Sequence, residues 1–202
     1  MLGDSSLTET RRVQIDDVAT ALFRERGYAA TSVREIARAL DLRGASLYAH
    51  VASKEDVLWS IVDRTAARFE DAADAAARAE GSAAGRLTGL VRGHVGVIME
   101  DPGAAVVFVH EWRQLNGRRR ADVLARRDRY EARVRDLIRA GVDSGEFEPG
   151  DPVLTATFIL SALNGIATWY RPDGRSSPEM IADTYTNLAL RAARVASLEE
   201  AR

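Results

Sequence analysis

The 202-residue sequence predicts an all-α protein, with a small N-terminal unit of three helices leading into a larger helical body, about nine helices in all. Three observations predict it. Apolar residues recur at three- and four-residue spacings along most of the chain, which places them on one face of successive helices. A serine followed three residues later by an acid marks two helix starts, Ser32 with Glu35 and Ser53 with Asp56. No alternating run of β-branched residues is bounded by hairpin turns, so no strand is expected.

The first helix, roughly Thr8 to Arg26, carries Val13, Ile15, Val18, Ala19, Leu22 and Phe23 near the helical period, and Gly27 supplies a left-handed residue to end it. Ser32 and Glu35 form a capping box that opens a second helix, Ser32 to about Leu40, with the stripe Val33, Ile36, Ala37 and Leu40. After the turn Asp41-Leu42-Arg43 comes a third segment, Gly44 to His50, too short to be stable without neighbours. A long fourth helix follows from Ser53 to about Ala79. Gly81, Ser82 and Gly85 read as a loop, and Asp101-Pro102-Gly103 as a break after a helix from Leu87 to Met99. Further helices are expected at about Ala104 to Leu115, Arg118 to Ser144, Asp151 to Trp169 and Ser177 to Leu198.

Composition narrows the function classes. A hydrophobic share of 46% and a charged share of 29% are those of a globular protein. With no cysteine, disulfides, thiolate metal sites and cysteine nucleophiles are excluded. Met1 to Arg12 holds acids and hydroxyls where an export signal needs a basic start and an apolar run, so a cytoplasmic location is expected. Pro152 to Tyr170 is uncharged for about the length of a bilayer span, but Thr155, Thr157, Ser161, Asn164 and Thr168 make it too polar to face lipid. It is expected as a helix buried by protein on most sides, with no membrane partner. The net charge of −2 provides no overall basic field, so any nucleic-acid role must rest on local residues. Lysine occurs once, at Lys54; the remaining cations are arginines.

Two short helices joined by a tight turn are the arrangement that sets a recognition helix in the major groove, although the same pairing recurs in many helical proteins. Residue detail adds to it: Phe23-Arg24-Glu25-Arg26-Gly27-Tyr28, Thr31-Ser32-Val33-Arg34-Glu35-Ile36-Ala37, Ser46-Leu47-Tyr48-Ala49-His50 and Ser53-Lys54-Glu55-Asp56-Val57-Leu58. In order, spacing and residue type this run, about Val13 to Trp59, resembles the DNA-binding region of the TetR family of repressors. The resemblance implies a helix-turn-helix DNA-binding domain at 1–52 and a helical effector-binding and dimerisation domain at 53–202. Within the head, Thr31, Ser32, Ser46, Tyr48, His50 and Lys54 carry groups that donate to phosphate oxygens, and helix N-termini add positive dipole ends. Arg43 is the leading candidate for bidentate reading of a guanine edge, with Arg34 as the second. The chain departs from the family at Asp41, where glycine is common in the turn, and at Gly44, where lysine is common; Gly44 offers no side chain to a phosphate, which leaves Arg43 a larger share. Aspartate tolerates left-handed dihedrals better than most residues.

The resemblance also implies a homodimer through the last two helices, a double-stranded operator of roughly palindromic sequence and a small-molecule effector of unknown identity. The apolar Pro152–Trp169 segment and the stripe Ile181, Tyr185, Leu188, Leu190 and Val195 independently exceed what one small body needs to bury. Candidate effector contacts are Trp59, His94, Met99, Phe108, Trp112, Arg113, Tyr130, Phe158 and Trp169, apolar and polar groups of the kind a pocket between helices needs. From Glu111 to Arg139 arginines outnumber acids, an excess that either forms a solvated helix face or attracts an anionic apolar effector. Trp169-Tyr170-Arg171-Pro172 resembles subgroups of the family that respond to acyl thioesters such as acyl-CoA. No metal and no cofactor are expected, since no His has a Glu three residues before it and His110-Glu111 lacks the second His of a zincin. Alternatives are an activator or effector-independent binder of the same fold and, more remotely, a helical-bundle enzyme, for which neither a phosphate loop nor a nucleophile elbow is present.

Overall fold

The computed structural model describes residues 3–42 and 44–194. Among them are nine α-helices, one 3-10 turn and no strand: α1 Gly3–Arg26, α2 Val33–Ala39, α3 Gly44–Leu47, α4 Lys54–Arg78, α5 Ala83–Glu100, α6 Pro102–His110, the turn Trp112–Gln114, α7 Gly117–Asp143, α8 Pro152–Trp169 and α9 Pro178–Arg194. The chain divides into two compact units, Met1–Ala66 with Gly103–Val123, and Ala67–Pro102 with Leu124–Arg202. By packing, then, the N-terminal unit extends past residue 52 to take in the first half of α4, nearly all of α6 and the start of α7.

In the first unit, Ile15, Ala19 and Phe23 of α1, Ile36 and Ala37 of α2, Leu47 of α3 and Val57, Leu58, Ile61 and Val62 of α4 are buried together as a core. α1 begins five residues before the expected Thr8. It closes at Gly27, whose φ of +82° is the left-handed conformation inferred from its position and whose amide donates to Phe23 O at 2.9 Å. The turn after α2 is made the same way without glycine: Asp41 takes φ +53°, its amide donates to Arg38 O, and Leu42 N reaches back to Ala37 O at 2.9 Å. This pair of bonds is a Schellman closure. α3 is a single turn, and Tyr48 to His50 continue as turn residues rather than as helix. α6 starts at Pro102, two residues before expectation, because the first helical position makes no use of the amide that proline lacks. The break is confined to Asp101.

In the second unit α5 packs against α8 and α9, which pack on each other. α5 begins at Ala83, four residues earlier than Leu87. Ser82 Oγ accepts from Gly85 N at 3.0 Å, and Glu146, far along the chain, accepts from Ala83 N at 2.9 Å and Ala84 N at 3.1 Å. A cap supplied from that distance cannot be read from local sequence. α8 opens on Asp151, whose carboxylate accepts from the amides of Val153 and Leu154, with Pro152 at the first position. It buries Ala156, Ile159, Leu160, Leu163, Ile166 and Ala167 but leaves Leu154, Phe158, Ser161 and Trp169 outward. Burial on most sides, as expected for this helix, is therefore met on one face within the chain. The expected last turn of α9, with Val195 and Leu198, lies outside the described residues.

Candidate nucleic-acid interface

The helix-turn-helix is held by polar groups that the sequence offers as surface donors. Thr31 is 2% exposed, and its hydroxyl donates to Gly27 O at 3.0 Å and Leu22 O at 3.4 Å, locking the α1–α2 connection. The Lys54 ammonium donates to Tyr28 O at 2.8 Å and Thr31 O at 2.9 Å and sits 4.1 Å from the centre of the Tyr28 ring. Two of its three donors are thus committed inside the protein. The Thr31 hydroxyl and two of the Lys54 donors are therefore spent on backbone carbonyls of the α1–α2 connection. Ser32 and Glu35 form the full capping box: Ser32 Oγ accepts from Glu35 N at 3.3 Å, and Glu35 Oε2 accepts from Ser32 N at 2.7 Å. Hydrogen bonds from Ser32 hold the Glu35 carboxyl below the usual range.

Outward from this scaffold stand Ser32, Arg34, Ser46 and Tyr48, the last 56% exposed. Arg34 has no ion-pair partner among the described residues, and Arg38, one turn further on the same helix, is likewise exposed. Gly44 opens α3 with its backbone. His50 is half-buried; its carbonyl accepts from Arg12 at 3.4 Å, while its Nδ1 is buried without a partner among the described residues. Arg43 lies outside the described residues.

An ion network in the same unit went unread in the sequence. Asp16, 1% exposed, accepts from Ser60 Oγ at 2.7 Å and pairs with Arg12 at 3.3 Å and Arg64 at 3.1 Å. Burial pushes its carboxyl above the usual range, against the pull of Ser60 and the two guanidiniums. Arg12 also donates to Asp56 at 3.0 Å, and Arg119 of α7 meets Asp56 from the other side at 3.0 Å. Burial raises Asp56 too, but these partners outweigh it and leave the carboxyl below the usual range. Glu55 accepts from Asn116 N at 3.1 Å. The first turn of α4, directly after the recognition segment, is therefore tied to α1 and to the start of α7. Only the Arg12–Asp16 spacing of four could have signalled any of this.

The candidate effector contacts fall into separate groups. In the first unit, Trp112 is buried beneath the Arg113 guanidinium, 4.8 Å away, Arg119 lies 5.6 Å over the half-buried Trp59, and Phe108 is in the core. In the second, His94 and Tyr130 are hydrogen-bonded at 2.9 Å beside Phe69, and Met99 is half-buried. Phe158 and Trp169 are not brought to that cluster: they are 60% and 46% exposed on the outer face of α8, where Trp169 stacks on Tyr185. Helical spacing puts them with Leu154 and away from Ile159 and Leu163. The arginine excess of α7 is largely spent on ion pairs. Arg126 grips Glu70 of α4 with two bonds of 3.1 and 2.7 Å, Arg129 also approaches Glu70, Arg133 pairs with Asp74 at 2.9 Å, and Arg135 and Arg139 pair along α7.

Comparison with known proteins gives matches over both parts of the chain. Residues 15–61 match the family described as bacterial regulatory proteins, tetR family, and residues 80–193 match the tetracyclin repressor-like C-terminal domain. The HTH-type transcriptional repressor KstR2 of Mycobacterium tuberculosis is 29% identical over 187 residues, spanning 90% of this chain and 92% of the relative. A tetR-family regulatory protein from Rhodococcus RHA1 superposes with a TM-score of 0.84 at 30% identity, covering 92% of this chain and 98% of that one. AibR, in its complex with isovaleryl coenzyme A and operator DNA, superposes with a TM-score of 0.79 at 28% identity, covering 88% and 97%.

Proposed function

The chain belongs to the TetR family of bacterial regulatory proteins, and from that premise we propose that it represses transcription, holding an operator as a homodimer and releasing it when an acyl-bearing effector enters the helical body. The observation that carries the grip is the exposed surface of Ser32, Arg34, Ser46 and Tyr48 on a head braced by Thr31 and Lys54. Ser32, Ser46, Tyr48 and the backbone amide of Gly44 position the head on phosphates; Arg34, with Arg43, reads base edges. His50 takes part through its place at the end of the recognition segment. The protein is a cytoplasmic regulator, not an enzyme.

Dimerisation is supported by the outward stripe of α8, Leu154, Phe158 and Trp169, together with exposed Met180 and Leu188 of α9. Two heads then require half-sites about one helical turn, or a multiple, apart. AibR, bound to isovaleryl coenzyme A and operator DNA together, supports an acyl thioester as the effector class. Release is a population shift: the effector must favour an arrangement of heads unsuited to the operator, with a coupling of roughly 1–3 kcal/mol. α4, unbroken from Lys54 to Arg78, connects the recognition segment to the body and is the lever.

Genomic footprinting of the tagged protein, followed by mobility-shift titration on the recovered sites, tests this reading. Discrete palindromic sites, bound without ligand and released by an acyl-CoA but not by coenzyme A alone, are expected. Binding that ignores sequence overturns the operator; indifference to every acyl-CoA overturns the effector class; reporter expression that falls when the gene is deleted makes the protein an activator.

A further inference from the structure

Asp56 stands three residues after Ser53, where a capping box would return its carboxylate to the Ser53 amide. Half of that box is made, since Ser53 Oγ accepts from Asp56 N at 3.0 Å. The carboxylate itself serves two other helices. Oδ2 accepts from Arg12 of α1 at 3.0 Å and from Ala52 N at 3.4 Å, while Oδ1 accepts from Arg119 of α7 at 3.0 Å. One oxygen thus serves α1 and the end of the recognition segment, and the other serves α7.

Arg12 carries the connection further. Its Nη1 also donates to His50 O at 3.4 Å, its Nη2 to Asp56 O at 2.9 Å and its Nε to Asp16 at 3.3 Å. A guanidinium is a rigid plane, so these bonds cannot be adjusted one at a time. Asp16 is fixed in turn by Ser60 at 2.7 Å and Arg64 at 3.1 Å. On the other side, the Arg119 guanidinium lies 5.6 Å from the centre of the Trp59 ring, and Asn116 donates its backbone and side-chain amides to Glu55 at 3.1 and 3.3 Å. All of these groups lie in one compact unit, which α7 leaves after Val123 to continue in the other.

The soft joint in this chain of bonds is the carboxylate. The last torsion of an aspartate is broad and has no staggered wells to hold it, so its setting depends on both oxygens being gripped. Without Arg119 only Oδ2 is held, and the group is free to turn away from Arg12 and Ala52 N. An acid in a DNA-binding head also repels phosphate, so its presence beside the recognition segment calls for a compensating role.

We propose that Asp56 is a relay between α7 and the recognition segment: Arg119 holds one carboxylate oxygen so that the other holds Ala52 N and Arg12, and Arg12 holds the carbonyl of His50. Arg12, Asp56 and Arg119 are then positioning residues for operator binding, acting through the recognition segment and not on DNA. The inference rests on the operator-binding reading above and deepens it, since a displacement at the start of α7 reaches the recognition segment through this carboxylate as well as along α4.

The test uses the full chain and an operator duplex recovered by footprinting, at a temperature well below each variant's thermal midpoint. Asp56→Asn keeps the size of the side chain and removes its charge; Arg119→Met keeps an apolar stem beside Trp59 and removes the guanidinium. On charge alone Asp56→Asn would bind DNA more tightly; as a broken relay it should bind about fivefold or more weakly. Arg119→Met should lose a similar factor with the salt slope of the wild type, Arg119→Lys should recover part of it, and adding Arg119→Met to Asp56→Asn should cost nothing further. In the 15N–1H spectrum of the free protein, Arg119→Met should move the amides of Ala52 and of Val51, whose peptide group includes the His50 carbonyl. Asp56→Asn that binds as tightly as the wild type or more tightly overturns the inference. So does Arg119→Met that lowers the thermal midpoint but not operator affinity, which is a purely structural ion pair. A flattened salt slope makes Arg119 a direct phosphate contact, and additive losses in the double variant deny the shared path; either overturns the relay and leaves the operator reading intact. If Asp56→Asn does not fold, Arg119→Met with its rescue by lysine and its effect on the Ala52 and Val51 amides decides alone. A wild-type chain that prefers no sequence overturns the operator reading and the inference with it.

Discussion

Lys54 and Arg34 are both basic residues at helix starts of the head, yet the structure gives them opposite work. The Lys54 ammonium is consumed by Tyr28 O and Thr31 O, while Arg34 stands exposed. Lys54→Met keeps the stem and leaves two carbonyls without their donor, so it should destabilise the chain by about 2 kcal/mol in urea titration. Operator affinity should fall with the loss of folded head, with the salt dependence of binding unchanged. Arg34→Ala should leave stability unaltered, weaken binding by about tenfold or more, and flatten the salt slope if a phosphate is its target. The hydroxyl and cationic residue types of the site were legible in the sequence; which of them face outward was not, because Thr31 and Ser32 differ only in the direction the backbone gives them. His94 supplies a pH prediction at the same scale. Its folded-state value of about 3 lies below the ordinary 6.5, so below about pH 6.5 the unfolded chain takes up a proton that the folded chain refuses. Stability from this group is complete above pH 6.5 and is lost toward pH 3, at a limiting slope of about 1.4 kcal/mol per pH unit. Denaturant titrations at pH 7, 6 and 5 should show His94→Phe reducing that loss.

Among the elements, those whose boundaries rest on neighbours within four residues were readable: the Ser32–Glu35 box, the helix start at Asp151 and the Gly27 ending are where the sequence puts them. Those fixed from afar were not. The early start of α5 needs Glu146, and the packing of α7 on α4 needs Glu70 and Asp74 opposite Arg126 and Arg133, partners that periodicity cannot pair. The α2–α3 turn is the informative intermediate case. Asp41 meets a glycine-like requirement at φ +53°, so Asp41→Gly should change the melting midpoint little, whereas Asp41→Val should cost about 1–2 kcal/mol and lower operator affinity through a misplaced α3. Differential scanning calorimetry of the two variants checks it.

For the whole molecule, the sequence set the all-helical class, the head and the two apolar C-terminal helices, since each depends on patterns repeated over many residues. It grouped Phe158 and Trp169 with His94 and Met99, whereas they stand exposed on the outer face of α8, because an apolar residue on an open helix face looks the same in sequence as one facing a core. The Leu154→Asp, Phe158→Asp double variant should sediment as a monomer with unchanged helical content. Its operator affinity should drop by about a hundredfold or more, since one head no longer brings the second to its half-site.

The single lysine gives the head a built-in reporter. A lysine-specific endoprotease has one place to cut, after Lys54, and there the side chain it must seize is clamped between two carbonyls and the Tyr28 ring at the first turn of α4. Cleavage therefore proceeds through local opening of the helix-turn-helix, and its rate at low protease counts how often the head comes undone. Operator DNA should slow that clock, and a ligand that loosens the head should quicken it.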